Sequence, residues 1–144
     1  IADLEQRVGQ GSLREHLERM ALQMLEFFED LLPKIQMVMS HNVDMRAQLL
    51  ENPDAPPVRA LKRLAYFFDQ EQRLGRLRRC DSEILARTLV GAMHHYAFAE
   101  RCGVNELMPM PRHTYARGVV SMLLGPLIVE QPPRSDDDPG EERS

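Results

Sequence analysis

Two neighbouring segments near the C-terminus carry more apolar surface than one chain of 144 residues can hide. In Asp81–Cys102, Ile84, Leu85, Leu89, Ala92, Met93, Tyr96 and Ala99 recur at helical spacing, while Val90, Ala97 and Phe98 fall outside that stripe. In Pro111–Val129, Tyr115, Val119, Met122, Leu123 and Leu127 share one face, and Val120, Leu124 and Ile128 share another. A water-exposed chain buries a helix that is apolar on two faces from both sides. With few helices to hand, a second copy of the chain is the natural cover. The reading that follows is an all-α helical bundle of about five to six helices, the last two forming an intersubunit four-helix bundle.

The length supports one domain with a single modest core. Apolar runs are short and interrupted by charge, so none is a membrane span, and no signal-peptide pattern opens the chain. The opening IADLEQRVGQG reads as the continuation of an upstream segment. Cys80 and Cys102 flank one helix, about 30 Å apart at about 1.5 Å of rise per residue, which is too far for a bridge. Reduced thiols fit a cytoplasmic protein. The formal net charge is −4, and the segment from Glu130 onward, with six acids and two bases, accounts for it. The chain therefore divides into a neutral body, 1–129, and an acidic tail, 130–144, expected to be disordered. A neutral body argues against direct nucleic-acid binding by these residues.

Local signals divide the body. A short helix is expected over Ile1–Val8, stopping at Gly9. Ser12 and Glu15 read as a capping box opening a helix with Leu13, Leu17, Met20, Met24, Phe28, Leu31 and Ile35 on one face. Pro33 should kink or restart it. Met45–Glu51 reads as a short helix, Asn52–Pro57 as a loop, and Val58–Leu74 as an amphipathic helix ended by a left-handed Gly75. Asp81 caps the next helix and Gly103 stops it. Asn105–Pro111 reads as a loop, and the last helix ends near Gly125-Pro126.

Met20, Met24, Phe27, Phe28, Met37, Met39, Met45, Phe67 and Phe68 crowd the first half of the chain. Such residues fill ordinary cores, and they also line pliable ligand pockets, because Met repacks around varied shapes. Adjacent residues on a helix point about 100° apart, so His94 and His95 do not share a metal ion easily; His94 could instead bond a polar head group of a ligand. Gly91, Ala92, Ala99, Ala116 and Gly118 suit close helix approach. The basic run Arg73, Arg76, Arg78 and Arg79 suits a solvent-facing helix C-terminus, where cations are favoured. No nucleophile motif, phosphate loop or HExxH occurs, so no catalysis, metal or cofactor is expected.

Several of these residues together resemble a known family. Phe68-Asp-Gln-Glu-Gln-Arg-Leu-Gly75-Arg-Leu77, followed by Asp81-Ser-Glu-Ile-Leu-Ala86, resembles the C-terminal domain of TetR-family transcriptional regulators. So do Gly91-Ala-Met-His-His-Tyr96 and the closing Tyr115-Ala-Arg-Gly118-Val-Val-Ser-Met-Leu-Leu124. The similarity spans Leu4 to Leu127. The family's N-terminal helix-turn-helix is not among these residues, so DNA would be met only through a domain outside this chain. The resemblance implies an effector-binding and homodimerising domain of a repressor. Its small hydrophobic effector would lie among Met20, Met24, Phe27, Phe28, Leu64, Phe68, Met93 and His94. Its dimer seam would use Thr88, Leu89, Ala92, His95, Tyr96, Ala99, Tyr115, Val119, Met122 and Leu123. The alternative is a structural or adaptor dimerisation module with no small-molecule site.

Overall fold

The computed structural model describes residues 4–129. The acidic segment from Glu130 and the first three residues of the expected Ile1–Val8 helix lie outside them. The described chain is all-α: α1 (Leu4–Arg7), α2 (Leu13–Ser40), α3 (Met45–Glu51), α4 (Pro56–Arg73), α5 (Ser82–Arg101), α6 (Val104–Leu107) and α7 (Arg112–Val119), which runs on as a π-helical turn over Val120–Leu124. The only extended pairing among the described residues is a single bridge between Leu77 and Ile128.

Short-range side-chain hydrogen bonds open three of the helices. Ser12 Oγ accepts from the Glu15 N–H at 3.3 Å, which opens α2, though Glu15 returns no bond and only half of the expected box forms. Asp44 opens α3 through the Ala47 N–H (3.1 Å), and Asp81 opens α5 through the Ile84 N–H (2.9 Å). Pro56 and Pro57 start α4 two residues earlier than expected, because the first helical turn needs no N–H from them. After α4, Gly75 takes φ +74°, a left-handed stop that an L side chain resists. Gly103 stops α5 in the same way, and α6, starting at Val104, runs into the segment expected to be loop.

Pro33 does not restart α2, contrary to expectation: the helix runs unbroken through it to Ser40. Pro33 faces solvent, so the carbonyl it leaves unpaired, that of Glu29, can turn to water. At the other end of the chain, the π turn has a steric reason. The Gly125 N–H donates to both Val120 O and Ser121 O at 3.1 Å, and a Cβ there would sit 2.2 Å from Ser121 O. Only glycine permits that closeness.

The core gathers Leu17, Leu25, Leu64, Phe67, Phe68, Leu89, Met93, Val120 and Leu124, all fully buried. α5 lies against both α2 and α4. α7 runs antiparallel to α2, as its ion pairs record: Arg112 with Glu29 (2.9 Å) and Arg117 with Glu18 (3.9 Å). Tyr115 bonds the Ala92 carbonyl (2.7 Å) and stacks against Tyr96 (centroids 4.7 Å apart), joining α7 to α5. The α4–α5 turn is clamped by Ser82, which donates to Asp69 and accepts from Gln72.

One buried charge ties distant segments together. Glu71 is 0 % exposed; its carboxylate accepts the Gly9 N–H at 2.9 Å and meets Arg76 Nε at 3.0 Å. Arg76 then donates to Gln10 O and Gly11 O. The expectation that the whole basic run is solvent-facing is thus corrected for Arg76, which is folded against the α1–α2 turn.

Candidate functional site

Three helices each present a two-turn strip to one hollow. α2 supplies Met24, Phe27, Phe28 and Leu31; α4 supplies Pro57, Ala60, Leu61 and Leu64; α5 supplies Arg87, Val90, Gly91 and His94. In every case the spacing is i, i+3, i+4, i+7, one face of a helix over two turns. Leu4 of α1 also lines the hollow. The cavity is about 370 Å³, within the size range of small-molecule sites. Its wall is almost wholly apolar; among the described residues, Arg87 and His94 are its only polar side chains. His94 stands edge-on to Phe28 (5.2 Å, 85°), and Phe28 edge-on to Phe27 (5.5 Å, 67°), a geometry that aromatic pairs favour. Arg87 is held at the rim by Glu83, one turn earlier, at 3.0 Å.

Of the eight residues expected around an effector, Met24, Phe27, Phe28, Leu64 and His94 line this cavity. Met20, Phe68 and Met93 do not; each is packed in the core. Met20 lies one turn before Met24 on α2, and Phe68 one turn past Leu64 on α4, where the helices have closed together. Met93 is one residue from His94, about 100° around α5, and faces the core. Leu31, Leu61, Val90 and Gly91 went unnamed, although each is three or four positions from a residue that was named. Nothing local pointed to Leu4. Met37, Met39 and Met45 are exposed and lie outside the cavity lining.

The expected dimer residues separate by exposure. Leu89, Tyr96 and Ala99 are buried within the chain itself, where packing in one subunit already occupies them. Ala92, Tyr115, Val119 and Leu123 are half-buried, and Thr88, His95 and Met122 are exposed, Met122 at 84 %. On α5 the exposed, uncharged face is Ile84 (64 %), Thr88, Gly91, His95 and Phe98 (52 %). Its 4-3-4-3 spacing is that of a helix-pairing seam. Helical spacing alone places Ile84 in a stripe with Leu85 and Leu89 and leaves Phe98 outside it, whereas both Ile84 and Phe98 are exposed. A Cβ at Gly91 or Gly118 would meet nothing within 4 Å, so neither glycine serves close packing inside the chain.

The remaining polar groups serve structure. Burial pushes the Tyr115 and Tyr96 hydroxyls above their ordinary pKa, and both stay donors, to Ala92 O and Met110 O. Burial, reinforced by Asp81 and Asp69, pushes the Cys80 thiol up, away from the reactive thiolate. Among the described residues no group of three or more His, Cys, Asp or Glu could hold a metal ion, and no helix is long and apolar enough to cross a membrane. A second cleft, about 570 Å³, opens between the Gly9–Leu13 turn, Arg14, Arg76 and the end of the described chain at Val129. No protein-family model, curated protein or solved structure matches this chain.

Proposed function

We propose that the chain is the effector-binding and dimerising part of a TetR-like transcriptional repressor, acting on DNA through a helix-turn-helix domain outside these residues. The family assignment rests on the residue patterns at Phe68–Leu77, Asp81–Ala86, Gly91–Tyr96 and Tyr115–Leu124. The observation that carries the ligand-binding role is the cavity, where three helical strips converge on a hollow with an apolar wall. Its occupant is a predominantly apolar small molecule. Because Leu4 forms part of the wall, a ligand that prefers one position of α1 biases that helix, the element nearest the N-terminus.

The exposed uncharged face of α5, with Val119 and Met122 of the last helix, is the seam for a second copy. Gly91 belongs both to this seam and to the cavity wall, so ligand and partner meet on neighbouring faces of α5.

Thermal unfolding against a panel of apolar compounds tests the cavity. A binder at a hundredfold its dissociation constant is expected to add about 2.7 kcal/mol. Ala60→Phe, which puts a ring into the hollow from α4, is expected to erase that shift. A panel with no binder, or a shift indifferent to Ala60→Phe, counts against the effector site. If the dimer nevertheless persists, the adaptor reading gains.

Sedimentation tests the seam. The wild-type chain is expected to be a dimer, and Met122→Arg, which sets a charge in an apolar contact, to be a monomer with unchanged helicity. A wild-type monomer at high concentration removes the seam altogether.

A further inference from the structure

We propose that the cavity takes an anionic amphiphile, an apolar chain ending in a carboxylate or phosphate ester, whose head group is held by Arg59 and Arg63. The proposal rests on the small-molecule reading above and adds the ligand's chemical class.

The cavity does not end at Phe27. A shallower recess of about 290 Å³ shares Phe27, Pro57 and Ala60 with it and is completed by Pro56, Arg59 and Arg63. The two hollows thus form one groove with an apolar trunk and a basic mouth. Among the described residues, no Asp or Glu lines either part. Arg59 and Arg63 are four residues apart on α4, so they project side by side from one face. Both are exposed, and among the described residues neither forms an ion pair; the acids nearest in sequence, Asp54 to Arg59 and Asp69 to Arg63, are not bridged to them. The first turn of α4 also contains no acid to offset Arg59.

Two neighbouring guanidinium groups offer forked donors that match a carboxylate or a phosphate. Arg87, at the rim of the main cavity, is a weaker candidate because Glu83 already occupies it. The trunk supplies the complementary half: Phe27, Leu61 and Leu64 would cover an alkyl or ring body along α4, leading its acidic end out to the arginines. A neutral or cationic amphiphile would satisfy the trunk and leave the mouth unmatched.

The test compares dodecanoate, dodecyl phosphate, dodecanol and dodecyltrimethylammonium on the intact chain, by calorimetry below their micelle concentrations. Both anions are expected to bind about tenfold more tightly than the alcohol, the size of one charge-assisted hydrogen bond at a partly exposed site. The cation is expected to bind more weakly than the alcohol. In Arg59→Gln/Arg63→Gln the anions are expected to fall to the alcohol's affinity while alcohol binding stays unchanged. A preference for only one anion names the head group and supports the proposal. Equal binding of alcohol and anions overturns the head-group assignment and leaves the cavity reading standing. A preference that survives the double substitution but disappears in Arg87→Gln also overturns it. Binding of none of the four overturns this proposal, whereas the panel and Ala60→Phe judge the cavity reading separately.

Discussion

Replacing Arg76 with alanine is expected to destabilise the chain by about 3–5 kcal/mol, the cost of leaving a buried charge without its partner. Glu71 is fully enclosed, and Arg76, at 19 % exposure, is the cation that meets its carboxylate. Without Arg76 the carboxylate keeps the Gly9 N–H, which does not repay the loss of a full countercharge. Two further bonds, to Gln10 O and Gly11 O, also disappear, and with them the hold on the α1–α2 turn. Adding Glu71→Gln should recover part of the loss, because an amide still accepts from Gly9 and carries no charge. Urea unfolding of both variants measures this. A cost below about 1 kcal/mol for Arg76→Ala would mean the pair behaves as a surface salt bridge.

Phe68→Ala and Phe27→Ala are expected to part company. Phe68 is fully buried and packs edge-on against Phe67 (5.8 Å, 61°), so truncation opens a void and should cost about 3–5 kcal/mol. Phe27 is 54 % exposed on the cavity wall, and its removal should cost within about 1 kcal/mol. The order reverses for ligand. Phe27→Ala should weaken an apolar binder directly, whereas Phe68 touches no part of the hollow. Equal stability losses would mean that Phe27 is covered in the working molecule, by a partner or by residues outside 4–129.

Caps and stops were legible because they are local. Ser12, Gly75, Asp81 and Gly103 each act through a neighbour within a few residues or through a single φ angle. Whether Pro33 restarts a helix is not legible locally, because its cost depends on which way the residue faces. Glu71 passed unnoticed for the opposite reason: its partner Gly9 lies 62 residues away, and nothing in Glu-Gln-Arg-Leu-Gly hints at burial. The site was half legible. Helical periodicity identified Met24, Phe28 and Leu64 as one-face residues. Periodicity cannot tell where along a face two helices converge or diverge, and that separates Met24 in the cavity from Met20 in the core. The same limit mixed buried Leu89, Tyr96 and Ala99 with exposed Thr88 and His95.

Apolar spacing and turn chemistry in the sequence alone determined that this chain is helical, where most of its helices begin and stop, and that its closing helices are apolar on more than one side. Those properties depend on residues within about two turns of one another. Only the tertiary structure decided which strips of α2, α4 and α5 face a hollow, that Arg59 and Arg63 stand at its mouth, and that Glu71 is enclosed with Arg76. Such outcomes depend on the rotation and divergence of whole helices, set by the packing of side chains far apart in the chain.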